Sequence, residues 1–175
     1  MKHFIIIISV LLTSFVSATA YSENEYLAYM SKAEWLIISN EKDGVNLQIH
    51  LPRIASISEV SWSYDKRYMT FTTKQRELWL LDLKHGAISL VESVPSTHPE
   101  VNYLPQWSAN TSRFLFVSHK YSQSRARVYS TDKKHSYALP IAFNEASSFT
   151  WSDEDDVIKV SGFTGSPKRL TASTK

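Results

Sequence analysis

Three tryptophan-serine pairs recur along the chain at nearly constant spacing, and this repeat constrains the fold more than any other feature of the sequence. The tryptophans are Trp62, Trp107 and Trp151, which lie 45 and 44 positions apart. Each pair ends a short strand-like run, precedes a polar turn, and is followed by a second run in which apolar residues alternate. The pattern therefore predicts that each unit forms two antiparallel strands and that the chain forms an array of such units.

Two further strands follow each of the first two units. Residues 77–83 and 87–91 flank the turn Lys84-His85-Gly86, and residues 125–130 and 136–140 flank a second polar turn. Four antiparallel strands at a period of about 45 residues are typical of one β-propeller blade. We therefore predict an all-β fold of antiparallel four-stranded blades, arranged as a partial β-propeller of about three blades. The repeats lie near residues 34–56, 57–93, 104–140 and 148–171, and the first is predicted to lack its inner hairpin.

The repeat resembles that of the TolB-type, WD-like propellers. The segment Trp62-Ser63-Tyr64-Asp65-Lys66-Arg67 is similar to that family's turn of tryptophan, serine, proline, aspartate and glycine followed by a basic residue, and Pro167-Lys168-Arg169-Leu170-Thr171 is similar to its closing segment. The turn proline and glycine are absent from all three units, so the repeats are degenerate and short. The resemblance covers residues 33–171 and implies a fold and binding surfaces rather than an activity.

The first twenty residues have the layout of a signal peptide. Lys2 and His3 precede an apolar run over residues 4–12, and the small residues Ala18-Thr19-Ala20 follow. We predict cleavage after Ala20, a single domain over residues 21–175, and a periplasmic or secreted protein with no membrane span after cleavage. An uncleaved N-terminal anchor is the alternative. The chain has no cysteine, which excludes disulfides, thiolate metal sites and a lipid anchor on cysteine.

The charges and polar residues predict no cofactor, no metal and no enzyme. After Ala20 the chain carries 18 basic and 17 acidic residues, which gives no electrostatic case for nucleic acid. The histidines are scattered, and the acidic run at residues 153–156 lacks the spacing of a calcium loop. The nucleophile motifs of hydrolases are absent from the sequence.

One basic segment is a candidate for partner binding. Residues 113–127 contain no aspartate or glutamate, and residues 118–124 are predicted to form the turn between two hairpins. A contact with an acidic protein surface is predicted for His119, Lys120, Tyr121, Arg125 and Arg127, and an ordinary solvated loop is the alternative. The three repeated tryptophans, with Trp35 and Trp79, are instead interpreted as packing residues of the blades.

These observations favour a non-enzymatic protein-binding module. It would neutralise a toxin, as an immunity protein does, or serve an envelope complex; the alternative is an accessory domain or remnant of a propeller-associated hydrolase. Three blades leave exposed strand edges. Self-association into a six-bladed homodimer, a partner protein that adds strands, or a different antiparallel sandwich or barrel would each cover those edges.

Overall fold

The computed structural model describes eleven stretches of the chain, separated by short gaps. They are residues 21–23, 26–31, 34–40, 42, 46–54, 56–97, 101–120, 124–142, 148–152, 157–161 and 168–172. The described residues form fifteen β-strands and no helix. None of them belongs to a helix that could cross a membrane. The predicted signal peptide, residues 1–20, lies outside the described residues.

The strands form four sheets in chain order, and every hydrogen-bonded pair is antiparallel. Sheet I contains β1 (Tyr21–Glu23), β2 (Tyr26–Met30), β3 (Trp35–Asn40) and β4 (Asn46–His50). Sheet II contains β5 (Ile57–Trp62), β6 (Tyr68–Thr73), β7 (Glu77–Asp82) and β8 (Ala87–Ser93). Sheet III contains β9 (Gln106–Trp107), β10 (Arg113–Ser118), β11 (Arg125–Ser130) and β12 (His135–Ala142). Sheet IV contains β13 (Ser148–Trp151), β14 (Val157–Ser161) and β15 (Lys168–Thr171). The predicted all-β class and antiparallel blades are confirmed.

Sheet I is more complete than the sequence predicts. The inner hairpin that was expected to be missing is formed by β1 and β2, and β2 pairs with β3 in the register Tyr26↔Asn40 and Ala28↔Ile38. This hairpin has no tryptophan-serine pair, so the repeat pattern does not detect it. The described residues therefore form four sheets, one more than the number of tryptophan-serine pairs.

Sheet IV includes the segment that resembles the family's closing segment. Part of this segment forms β15, the last described strand, which pairs directly with β14 in the register Ile158↔Leu170. It is therefore the third strand of a sheet that has three strands among the described residues.

The core consists of three hydrophobic clusters, one at each contact between successive sheets. Strand β6 shows how one strand serves two clusters. Met69 and Phe71 pack toward sheet I, whereas Tyr68 packs toward sheet III, as the period of two along a strand requires. All six residues of β6 are buried, because sheet II has a neighbour on each face.

The tryptophan-serine pairs make the same contacts in successive sheets. The serine N–H donates to the carbonyl five residues on: Ser63 to Tyr68 (2.9 Å), Ser108 to Arg113 (2.9 Å) and Ser152 to Val157 (2.8 Å). The indole N–H donates to the backbone carbonyl of the residue that precedes the tryptophan of the previous sheet. Trp107 donates to the Ser61 carbonyl (3.1 Å), and Trp151 donates to the Gln106 carbonyl (2.8 Å). These bonds join the inner strands of sheets II, III and IV. The interpretation of the repeated tryptophans as packing residues is confirmed.

Trp35 is the exception among the five tryptophans. Its side chain is 38% exposed on the face of sheet I that points away from sheet II, and its ring lies 5.0 Å from that of His50. Its predicted role as a packing residue of the blades is therefore wrong within this chain. Trp79, by contrast, stacks on Phe71 with a ring separation of 6.5 Å.

Candidate partner-binding site

The turns within sheets II and III meet the connection between these sheets at one end of the molecule. We call this the connector end and define it by residues 74–76, 94–97, 101–105, 119–120 and 124. The N–H of Val94 and the hydroxyl of Tyr103 both donate to the carbonyl of Arg76, at 3.2 Å and 2.8 Å. The N–H of Val117 donates to the carbonyl of Tyr103 at 2.7 Å. The proline-containing connection is therefore anchored to both sheets.

Glu92 is a buried carboxylate that fixes the turn after β10. It lies near the end of β8, in sheet II, and its two oxygens reach across to sheet III. The hydroxyl of Ser118 donates to Oε2 at 2.7 Å, and the N–H of His119 donates to Oε1 at 2.8 Å. Hydrogen bonds to a charged acceptor are stronger than neutral ones. This contact therefore holds the predicted binding segment against sheet II.

His119 is held by further contacts with the same region. Its Nε2 lies 2.9 Å from the carbonyl oxygen of Asn102, and its Nδ1 lies 3.1 Å from Oγ of Ser124. Its ring meets that of Tyr103 edge to face at 5.7 Å. In this arrangement the imidazole positions the turn, and its contact with a partner stays a prediction.

Lys120 and Arg127 line one cleft between the outer strands of sheets II and III, which we call the rim cleft. Its volume is about 290 Å³. Its lining residues are Leu90, Val91, Glu92, Ser93, Ser118, Lys120, Arg127 and Ser136. The guanidinium of Arg127 donates to the hydroxyl and the carbonyl of Ser136, at 3.1 Å and 2.8 Å. These bonds hold the Arg127 side chain at the cleft wall.

Two of the predicted partner-binding residues remain, Arg125 and Tyr121. Arg125 is exposed at the start of β11, two positions from Arg127, so both side chains leave the same face of the strand. Tyr121 lies outside the described residues. The structure thus brings together Lys120 and Arg127, places Arg125 on the same face, and ties the His119 ring to the connection between the sheets. Whether these residues bind a partner stays a prediction.

A second cleft at the connector end was not predicted from the sequence. This inner cleft has a volume of about 420 Å³. It is lined by Ser58, Thr72, Thr73, Lys74, Arg76, Val101 and Tyr103. The sequence signal that could have indicated it is the pair of cations Lys74 and Arg76 in one turn. Among the described residues, no group of three or more histidine, aspartate or glutamate side chains is arranged to hold a metal ion.

Comparisons with known proteins support the fold alone. No protein-family model matches the sequence, and no curated protein matches it. The crystal structure of the tricorn protease is similar over 79% of this chain, with a TM-score of 0.61 and 11% identity. The crystal structure of TolB from Acinetobacter baumannii is similar over 83% of this chain, with a TM-score of 0.50 and 16% identity.

The chain spans only part of each of these proteins, 14% of the tricorn protease chain and 37% of the TolB chain. Together with the side-by-side sheets and their inner strands, these likenesses identify a TolB-like propeller-type fold in the form of a partial, open propeller. Fold likeness at this level of identity does not transfer an activity.

Proposed function

We propose that this protein is a non-enzymatic protein-binding module that is exported to the periplasm or secreted, and that it contacts an acidic partner surface through the rim cleft. The observation that carries the proposal is the convergence of Lys120 and Arg127 on one cleft, with Arg125 exposed on the same strand face. The cations come from a turn and a strand that a buried carboxylate and a fixed histidine hold in place.

The rigidity of this arrangement favours recognition. The Arg127 guanidinium, which Ser136 holds before binding, loses less conformational freedom when a partner docks. Complementary charge accelerates the encounter and disfavours wrong partners. The exposed edge strands of the sheets offer a second mode of contact, in which a partner adds a strand. The neutralisation of a toxin and service in an envelope complex are both compatible with this chemistry, and the identity of the captured partner distinguishes them.

The test uses charge reversal with a matched control. The double variant Lys120→Glu/Arg125→Glu alters the rim cleft, whereas Lys133→Glu alters an exposed lysine in the turn at the opposite end of sheet III. Tagged proteins are cross-linked in the native host and purified, and the bound proteins are identified by mass spectrometry. We expect one envelope or toxin protein to be captured by wild type and by Lys133→Glu and lost from the double variant. A partner that the double variant retains, or the absence of any partner, contradicts the proposal.

One contact favours the hydrolase alternative, the pair formed by Ser124 and His119. Because Nε2 of His119 faces a carbonyl, its Nδ1 is available to accept the Ser124 hydroxyl proton at 3.1 Å. We interpret the pair as a stabiliser of the turn, since the two residues are five positions apart in one hairpin connection. A fluorophosphonate probe tests this: no labelling supports the binding module, and labelling that is lost in Ser124→Ala favours a hydrolase.

Self-association is a second candidate, favoured by the outer face of sheet I. Leu27, Tyr29 and Ile37 alternate with the core residues of β2 and β3, so they point away from sheet II together with Trp35. The outer face of sheet IV instead carries exposed serine, threonine and lysine side chains, Ser148, Thr150 and Lys159. Two copies therefore match best when the outer face of sheet I in one copy meets the same face in the other. A closed ring would instead require sheet I of each copy to meet sheet IV of the other.

With four sheets among the described residues, two copies of the chain would supply eight sheets, two more than the six-bladed homodimer predicted from about three blades. Strand spacing of about 4.8 Å and about 3.3 Å per residue give the face of sheet I roughly 320 Å², below the roughly 800 Å² per partner of a standard interface. We therefore expect a weak, reversible dimer. Light scattering should show a mass that rises over tens to hundreds of micromolar for wild type and Val157→Lys but not for Ile37→Lys; a constant monomer mass for wild type contradicts this candidate.

A further inference from the structure

The inner cleft has the composition of an anion-binding site. Two of its seven lining residues are cations, Lys74 and Arg76, four carry hydroxyl groups, and none carries a carboxylate. The hydroxyls of Ser58 and Thr72 lie 3.0 Å apart on adjacent strands, and because one donates to the other, one of the two keeps a proton that it can donate to a ligand. The lining therefore offers two positive charges and one hydroxyl donor, because the hydroxyls of Thr73 and Tyr103 already donate to Glu77 and to the Arg76 carbonyl.

The backbone of Arg76 is fixed at the edge of this cleft. Its N–H donates to the carbonyl of Thr73 at 3.0 Å, and its own carbonyl accepts the hydroxyl of Tyr103 and the N–H of Val94. Arg76 adopts a φ of 61°, and Lys66 and Lys134 have similar values in other turns, so this conformation belongs to the turn and does not itself indicate a ligand.

The side chain of Arg76 carries an unpaired donor. Its Nε is buried and has no hydrogen-bond partner among the described residues. A buried donor without an acceptor destabilises the fold, and more strongly so on a charged group. The guanidinium matches the two oxygens of a carboxylate or a phosphate, and its terminal nitrogens can donate to such an anion.

Two carboxylates, Glu77 and Glu92, lie near the cleft, and both accept hydrogen bonds from groups other than Arg76 and Lys74. Burial, together with the carboxylates of Glu92 and Glu77, raises the pKa of Tyr103 well above its ordinary value, so its hydroxyl stays neutral. Glu77, beside Arg76 in sequence, already accepts hydrogen bonds from the Thr73 hydroxyl and the Trp79 indole at its Oε2. Lys74 is exposed at the mouth of the cleft, where it attracts an anion from solution.

We propose that the inner cleft binds a single small oxyanion, a carboxylate or a phosphate, with Arg76 as the principal ligand and Lys74 as the second cation. This site is separate from the rim cleft. The proposal is independent of the protein partner, because it requires only a free anion in solution.

The test is an NMR titration of the isotope-labelled protein at constant ionic strength. Acetate and inorganic phosphate are added in separate experiments, and the Arg76 Nε–H and the backbone amides of residues 73–76 and 101–103 are followed. We expect saturable shifts at millimolar concentrations, confined to this region. Saturation by both anions indicates a general oxyanion site, and saturation by one of them identifies the carboxylate or the phosphate as the ligand.

Three variants make the result specific. Arg76→Lys keeps the charge but removes Nε and the planar fork, and should weaken binding at least tenfold. Lys74→Gln, at an exposed position that leaves the fold intact, should weaken binding about three- to fivefold, as expected for a partly screened charge. Lys84→Gln, in the exposed turn at the opposite end of sheet II, should have no effect. Shifts that do not saturate, or that neither Arg76→Lys nor Lys74→Gln weakens, overturn the proposal.

Discussion

Glu92 is the residue whose replacement tests most directly how the candidate site is held. It is 8% exposed, and it joins sheet II to the turn of sheet III through two donors, the hydroxyl of Ser118 and the N–H of His119. In Glu92→Ala both donors lose their acceptor, and Ser118 is itself buried. In Glu92→Gln the amide oxygen can still accept the His119 N–H, and the amide NH₂ can donate to the Ser118 hydroxyl.

The magnitude follows from the number of bonds. A hydrogen bond to a charged group contributes about 1.5–3 kcal/mol, and the lower value is appropriate here because His119 is only half-buried. Two such bonds predict that Glu92→Ala lowers the free energy of unfolding by about 3 kcal/mol, or Tm by roughly 6–12 °C. Glu92→Gln loses mainly the charge and should cost about 1 kcal/mol.

Urea unfolding followed by tryptophan fluorescence and circular dichroism measures both variants. Ser93→Ala, at the exposed neighbouring position, is the control and should change stability by less than about 0.5 kcal/mol. The opposing effect is the desolvation cost of a buried carboxylate, which its removal relieves. A loss below about 1 kcal/mol in Glu92→Ala, or equal losses in Ala and Gln, would show that this cost cancels the two bonds and would refute the reasoning.

Two further predictions concern other contacts. Trp151→Phe removes the indole hydrogen bond to the Gln106 carbonyl and should lower the free energy of unfolding by about 1–2 kcal/mol. Trp35→Phe, on the exposed face of sheet I, is the control and should change it by less than about 0.5 kcal/mol. Equal effects of the two variants in urea unfolding would contradict the role of the indole bond. Burial raises the pKa of Asp82, but hydrogen bonds with His85 and Arg67 outweigh it and place the pKa below its ordinary value. Stability from the ionised Asp82 is therefore present above about pH 4 and is lost as the pH falls through the lowered pKa. The difference in unfolding free energy between wild type and Asp82→Asn should be under about 1 kcal/mol at pH 7 and smaller at pH 3; a difference that does not change with pH would contradict it.

The tryptophan-serine repeat predicts most of the fold because it marks contacts that are local in sequence. Each serine bonds five residues ahead, and the strands that follow are adjacent in the chain. The hairpin of β1 and β2 is not predicted by the repeat, because its two strands have no tryptophan-serine pair. Its position is set by burial of Ala28 against sheet II, which a repeat pattern does not record.

The candidate site is less predictable for the same reason. The basic segment is visible in the sequence, but the residue that orients it, Glu92, lies 26 and 27 positions before its two donors. His119 looks like a surface histidine until the connection between the sheets folds back to place the Asn102 carbonyl beside it. The inner cleft depends on Tyr103 reaching Arg76 over 27 positions. Long-range contacts of this kind need the packed sheets before they can be identified.

The bonds from each indole to the preceding inner strand have a consequence for how the chain reaches this structure. Every sheet is assembled from neighbouring strands, and each hydrophobic cluster joins sheets that are consecutive in the chain. During synthesis from the N-terminus, each sheet can therefore fold and then pack against the next sheet once the tryptophan of that sheet has been synthesised. No distant segment of the chain is needed for either step. Amide hydrogen exchange should then be slowest in β6 and β10, which have neighbours on both sides, and fastest in sheets I and IV, where opening of the array begins.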